Sequence, residues 1–218
     1  MRGIRIIAND MKPSFIYLAS QSPRRAELLA QLGVAHQLLL ADETEDAESL
    51  EAVRGAEAPA TYVQRVTKLK LGAAVARAQK RGLWTKQEAQ PILCADTTVA
   101  MGREIFGKPS GARAAGQMLG TLSGKTHRVL TSVGVAWRAD GQVKTGFALS
   151  ESRVTFAPLT KREIEAYIAT DEPFGKAGGY GVQGKAAAFI SNIAGSYSGI
   201  MGLPLYETAQ LLRQAKIL

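Results

Sequence analysis

The stretch Ser20-Gln21-Ser22-Pro23-Arg24-Arg25 carries two hydroxyls and two guanidinium groups in six residues, just after the apolar run Phe15-Ile16-Tyr17-Leu18. It reads as strand, turn and helix. Ser22 suits the N-cap, Pro23 the first helical position and Gly33 the left-handed C-cap, while Arg25, Leu28, Leu29 and Leu32 fall at helical spacing. Free backbone N–H groups, serine hydroxyls and arginine forks then meet at the end of a strand, which is what a polyphosphate needs. A plain capped helix with solvated arginines has the same local spelling, so the reading depends on what else the chain brings to that point.

A carboxylate is the second element of such chemistry. Ile92-Leu93-Cys94-Ala95 is an apolar run of the kind expected for a strand buried on both faces, and Asp96 ends it, followed by Thr97 and Thr98. A carboxylate at the carboxyl end of a central strand lies where open α/β sheets bind ligands, and it can serve as metal ligand or base. Two lysines are candidates to join it. Lys108 returns beside Asp96 if the turn at Gly102-Arg103 closes a hairpin. Lys70 lies one helical turn after Val66, at the edge of an apolar face, where a lysine either snorkels to solvent or points into a cleft. Residues 175–184 hold five glycines in ten residues, matching neither a dinucleotide fingerprint nor a Walker loop. Such a segment lets backbone approach a ligand, or is simply a flexible connector.

The elements that must position these groups follow from periodicity. Gln37 to Leu40 reads as a short buried strand running into an acidic loop that ends at Pro59. Thr61 to about Arg81 is helical, with Tyr62, Val66, Leu69 and Ala73 on one stripe. Ser110 is the expected cap of the next helix. Thr126 to Trp137 and Val143 to Ala157 form a hairpin around Asp140-Gly141. Thr160-Lys161-Arg162-Glu163 is a capping box opening a helix through Ile168, and a strand near Ala188 to Ile193 and a helix from Pro204 close the chain. Residues 1–13 read as an extension outside the core, with Met11 a second possible start, and residues 14–218 as one domain.

Composition narrows the function classes. The 218 residues are 46% hydrophobic, enough to bury a full core. No apolar run approaches the roughly 20 residues of a membrane span, and the N-terminus has no leader pattern, so a cytoplasmic protein is expected. Cys94 is the one cysteine and His36 and His127 the two histidines, too few for a disulfide or a zinc cluster. The net charge is +8, yet residues 42–57 hold seven acids (Asp42, Glu43, Glu45, Asp46, Glu48, Glu51, Glu57) against Arg54. A basic body with an acidic loop fits a phosphate ligand with a divalent cation, or is a solvated loop on a basic surface. No basic stripe with interleaved aromatics marks a nucleic-acid reader.

Four segments in order, Leu18-Ala19-Ser20-Gln21-Ser22-Pro23-Arg24-Arg25, Ala95-Asp96-Thr97-Thr98-Val99, Leu122-Ser123-Gly124-Lys125-Thr126-His127, and Asp171 to Gly184 with Gly202-Leu203-Pro204-Leu205, closely resemble the Maf family. The resemblance covers roughly residues 15 to 215. It implies an α/β fold with a mixed twisted sheet and flanking helices, two lobes around a central cleft, similar to inosine triphosphate pyrophosphatases. It implies metal-dependent hydrolysis of nucleoside triphosphates to the monophosphate and pyrophosphate, usually by a homodimer. Magnesium, manganese and cobalt all suit oxygen ligands, and availability favours magnesium.

Carried over by position, Ser20, Ser22, Arg24 and Arg25 hold phosphates. Glu45 and Asp96 form the acidic centre and hold the metal, with Asp96 the chosen general base, and Lys70 and Lys108 complete the catalytic set. The acidic loop looks longer than in the family, and Glu45, rather than Glu43 or Asp46, is the acid carried over from the resemblance. Cys94 stands where glycine is frequent, and Ser196 where an acid is frequent. Arg24, Thr97 and Gln183 in Gly181-Val182-Gln183-Gly184 resemble the branch acting on dTTP and UTP, Gln183 offering an amide to a pyrimidine edge. The branch acting on 7-methyl-GTP has tryptophan at the place of Arg24. The family is also associated with septum formation, which keeps a nucleotide-sensing division regulator acting by protein interaction as the competing class.

Overall fold

The computed structural model describes residues 15–42, 45–46, 49–85 and 89–218. The expected extension at 1–13 and the acids Glu43 and Glu48 lie outside the described residues. The chain is α/β, with six α-helices and seven strands in one mixed sheet among the described residues. Among the described residues no helix is long and apolar enough to cross a membrane.

The strands are β1 (Ile16–Leu18), β2 (His36–Leu38), β3 (Ile92–Met101), β4 (Glu104–Phe106), β5 (Thr126–Ala139), β6 (Gln142–Phe156) and β7 (Ile190–Ala194). Their order is β2-β1-β3-β5-β6-β7, with β4 paired to β3. β2 and β3 both run parallel to β1, and the remaining pairs are antiparallel. The helices are α1 (Pro23–Gln31), α2 (Pro59–Lys80), α3 (Ala112–Leu122), α4 (Lys161–Ile168), α5 (Tyr197–Met201) and α6 (Leu205–Gln214).

Strand alternation on β3 splits the core into two layers. Cys94, Asp96 and Ala100 face α2: the Cys94 thiol reaches the Thr67 carbonyl, and Ala100 packs with Tyr62, Val63 and Val66. Leu93 and Ala95 face the other way, onto Leu28 and Leu29 of α1 and Leu211 and Leu212 of α6, and Val99 packs with Leu119 and Leu122 of α3.

The register also opens the cleft. β1 pairs with β3 only at Ile92 and Leu93, because after Leu18 the chain leaves the sheet to enter α1, whereas β4 begins its pairing at Val99. Residues 94–98 therefore lie in a gap between β1 and β4 along one side of β3, with β5 covering the other side throughout.

Several local expectations change. β3 is one strand from Ile92 to Met101, with the expected strand at residues 99–101 continuous with the apolar run, so Asp96 lies within it rather than at its carboxyl end, since β5 pairs with it along that length. β2 is an edge strand: Leu38 is 56% exposed, and Leu39 just beyond it supplies the burial. The inward stripe of α2 is Tyr62, Val63, Val66, Leu71, Ala74 and Ala78, with Leu69 and Ala73 only half-buried. Gly111, not Ser110, is the N-cap of α3, and Ser22 occupies the N-cap of α1 without its hydroxyl capping. β7 starts at Ile190 because Lys185–Phe189 forms a 3₁₀ turn. The Thr160–Glu163 capping box and the Asp140–Gly141 turn, both residues at positive φ, form as expected.

Candidate active site

A cavity of about 830 Å³ opens over the gap in β3, bordered by the β1–α1 turn, the acidic loop, α2, Lys108 and the glycine-rich segment. Lys70 lines it. Its ammonium donates to Asp96 Oδ1 and to Glu51 Oε1, each at 2.6 Å, and Lys108 Nζ donates to Glu51 Oε2 at 3.0 Å. The hairpin thus brings Lys108 back to Asp96 through Glu51 and Lys70. The Asp96 side chain is 10% exposed and that of Glu51 30%, so the cluster is shielded without being sealed.

Charge balance matches this geometry. Burial alone would push the Lys70 ammonium down, but Asp96 and Glu51 outweigh it and hold its pKa above the ordinary lysine value. Burial pushes the Glu51 carboxyl up, and Lys70 and Lys108 outweigh that, leaving it below the usual carboxylate range. Lys70 is therefore an ammonium and Glu51 a carboxylate near neutral pH.

Glu45 is not brought into this cluster. It borders the same cavity, but its carboxylate receives a two-pronged bond from Arg77 on α2, Nε to Oε1 at 2.7 Å and Nη2 to Oε2 at 2.6 Å. The hydrogen bond from Arg77 holds its pKa below the ordinary glutamate value. Arg77 also donates to the Leu39 carbonyl, so the pair ties the start of the acidic loop to α2. Glu51 takes the place by Lys70 because a 3₁₀ turn at Ser49–Glu51 lays that segment on α2, where the Tyr62 hydroxyl donates to the Glu51 carbonyl at 2.8 Å. Among seven acids in one loop, nothing in the spacing marks Glu51 out.

The β1–α1 turn contributes a second group. Ser20 Oγ accepts from Ser22 N at 3.2 Å and from Arg25 Nη1 at 2.9 Å. Arg25 also donates from Nε to the Gly202 carbonyl at 2.8 Å and from Nη2 to Thr97 Oγ1 at 3.5 Å. Thr97 Oγ1 lies 2.9 Å from Thr131 Oγ1, whose hydroxyl donates to the Gly199 carbonyl. Arg25 and Thr97 border the cavity, but their polar groups are engaged in joining α1, β3, β5 and α5. Alternation turns Thr97 away from the Asp96 face. Arg24 borders the cavity with no hydrogen-bond partner among the described residues.

Three cations, Arg24, Arg25 and Lys176, border this side of the cavity. Burial and the nearby Arg24 charge hold the Lys176 ammonium below the ordinary lysine value, and burial does the same to Arg25 against the pull of Asp96. Positive groups crowded around an open cavity are relieved by an anion. Two carboxylates bridged by one ammonium, beside a basic turn, can hold a hard divalent cation on oxygen donors and a phosphate chain on the basic side.

The glycine-rich segment closes the cavity opposite α2. Gly178 has φ +69°, and a Cβ there would lie 2.9 Å from Val99, so close approach to β3 requires glycine. Tyr180 is pinned by His127, Nε2 to Oη at 2.7 Å, and burial holds this imidazole neutral with a pKa of about 4. Gln183 borders the cavity in a turn in which Gly184 N donates to the Gly181 carbonyl. The glycine spacing announces this segment but neither the Lys176 charge nor the His127–Tyr180 bond, for which the one signal in the sequence is His127 at the end of Leu122-Ser123-Gly124-Lys125-Thr126-His127.

The chain is 61% identical over 199 residues to the dTTP/UTP pyrophosphatase of Albidiferax ferrireducens, covering 91% of this chain and 96% of that one. It is 60% identical to the dTTP/UTP pyrophosphatase of a Polaromonas species, covering 92% and 96%. It is also 60% identical to that of Cupriavidus metallidurans, covering 93% and 97%. Residues 15–215 match the family model described as Maf-like protein, and the chain belongs to that family.

Proposed function

We propose that this protein hydrolyses dTTP and UTP to the nucleoside monophosphate and pyrophosphate. The observation that carries the reading is the Asp96–Lys70–Glu51–Lys108 cluster, facing the basic β1–α1 turn across one cavity. The names of the relatives, dTTP/UTP pyrophosphatase, support the reaction and the bases.

Hydrolysis at the α-phosphorus forms a bond from a water oxygen and breaks the bond to the bridging oxygen, which leaves with pyrophosphate. Asp96 accepts the proton of the attacking water. Arg24, Lys108 and Lys176 draw the phosphate chain in and stabilise charge on the departing oxygens, while Ser20 and Ser22 hold the turn against it. Asp96 and Glu51 are the residues that would hold a divalent cation, two hard oxygen donors already meeting at one ammonium. Such a cation supplies Lewis-acid stabilisation of phosphate charge when bound. Glu45, gripped by Arg77, fastens the loop that carries Glu51. Gln183 presents its amide to the pyrimidine edge.

Pyrophosphate release from dTTP, UTP, CTP, dGTP, ATP and 7-methyl-GTP, with magnesium or manganese, tests this. The wild type should prefer dTTP and UTP. Asp96→Asn should lower kcat about 10³-fold and Glu51→Gln about 10²-fold, with Glu45→Gln costing less than about tenfold. Gln183→Ala should blur the choice of base. A folded wild type that turns over none of these nucleotides would sink the enzyme reading, and a preference for 7-methyl-GTP would reassign the base.

A further inference from the structure

Gln183 is exposed, and an exposed amide reads a base edge only if its backbone is held still. The Glu172 carboxylate is the group that does so. Its Oε2 accepts from Lys185 N at 2.9 Å, and its Oε1 accepts from Tyr167 Oη at 2.9 Å and from Ala186 N at 3.5 Å. One side chain thus bonds the two backbone N–H groups that follow the Gly181–Gly184 turn and anchors them to α4 through Tyr167.

Close packing makes the contact selective for this sequence. A Cβ on Gly184 would lie 2.2 Å from Glu172 Oε1 and 2.6 Å from Oε2, so the carboxylate fills the space that a side chain would take. On the other flank a Cβ on Gly181 would meet Lys176 Cδ at 3.3 Å and Gln183 Oε1 at 3.5 Å. Lys176 Nζ in turn donates to the Glu172 carbonyl. The turn bearing Gln183 is therefore held between the Glu172 carboxylate and the Lys176 stem.

We propose that Glu172 is a positioning residue for base selection, fixing the Gly181–Gly184 turn so that Gln183 meets the pyrimidine edge. This rests on the reading of Gln183 as the group that contacts the base. Glu172 itself touches neither the phosphates nor the attacking water, so its loss should appear in KM and in the choice of base rather than in kcat.

The test is steady-state kinetics of Glu172→Ala, Glu172→Gln, Gly184→Ala and Gln183→Ala on dTTP, UTP, CTP and dGTP, with folding checked by circular dichroism. Glu172→Ala is expected to raise KM for dTTP about tenfold and lower the dTTP-over-CTP ratio of kcat/KM about tenfold, with kcat changed less than about threefold. Glu172→Gln, which keeps an acceptor for Lys185 N, should recover part of the ratio. Gly184→Ala, which displaces the carboxylate, should mimic its loss even if Glu172→Ala folds poorly. Combining Glu172→Ala with Gln183→Ala should lower the ratio no further than Gln183→Ala alone. An unchanged ratio in folded Glu172→Ala or Gly184→Ala, with Gln183→Ala losing it, overturns the inference about Glu172. A ratio that survives Gln183→Ala overturns the base-reading assignment itself.

Discussion

Replacing Lys70 with methionine keeps the stem and removes the charge that separates two carboxylates. In the wild type, Glu51 has a folded pKa below its unfolded value, so its contribution is present above the unfolded value and lost as pH falls through the folded one. Lys70 has a folded pKa above its unfolded value, so its contribution is present below the unfolded value and lost as pH rises through the folded one. Both are complete at neutral pH. Breaking a buried pair by removing one partner costs about 3–5 kcal/mol, and the exposure of Glu51 and Lys70 brings the expected loss down to about 2–3 kcal/mol. For a chain of this size that is a fall in Tm of about 5–10 °C.

The pH dependence carries the electrostatic content. Without the ammonium, Asp96 and Glu51 face each other with Lys108 and Arg25 as the remaining counter-charges, and one carboxyl is expected to be pushed above its unfolded pKa. Its protonation then relieves repulsion as pH falls. Differential scanning fluorimetry should show the deficit in Tm of Lys70→Met largest near about pH 7.5 and smaller near about pH 5. Magnesium should raise the Tm of the variant more than that of the wild type, a divalent cation replacing the lost charge. A deficit of the same size at both pH values, or none at either, would refute the reading of these side chains as one coupled cluster.

Two further perturbations test the frame around the site. His127 is held at a pKa of about 4 against an ordinary 6.5, so its contribution is present above 6.5 and lost as pH falls through the folded value. The loss amounts to about 3 kcal/mol at about 1.4 kcal/mol per unit. Urea unfolding of His127→Gln, which keeps a polar group toward Tyr180 without titrating in that range, should show a flatter stability profile, and an unchanged profile would refute the role given to this imidazole. Gly178→Ala should destabilise by about 2–3 kcal/mol, through both its positive φ and its collision with Val99. Gly175→Ala, at φ +72° with nothing within 4 Å, should lose only about 1 kcal/mol, and equal losses in urea unfolding would show that the approach to β3 is not tight.

Much of the frame was legible because it is written in local rules. The capping box at Thr160–Glu163, the turn at Asp140–Gly141 and proline at the first position of α1 act within a few residues, so spacing alone announces them. Asp96 could be named as a candidate because it breaks an apolar run, Lys70 because it lies at the edge of an apolar helical face and Lys108 because a hairpin returns it beside Asp96, while their joint catalytic role was implied by the family resemblance. Exposure was harder to read: Leu38 looks like core in a run of leucines, but an edge strand has no neighbour to cover it.

The sequence by itself determined the element types, the basic turn, the lone Asp96 on a buried strand and the glycine-rich segment that approaches it. Which acid serves Lys70 was decided only by tertiary structure. Glu45 and Glu51 belong to one acidic run without periodicity, and they are separated by partners distant in the chain: the Arg77 fork takes the first, and the Tyr62 hydroxyl seats the backbone of the second. The same holds for Arg25, turned inward by Gly202, 177 residues away, and for Glu172, whose carboxylate meets the backbone of Lys185 and Ala186. Propensity and capping act over a single turn, whereas a charged side chain takes whichever partner the packed fold brings within hydrogen-bonding distance.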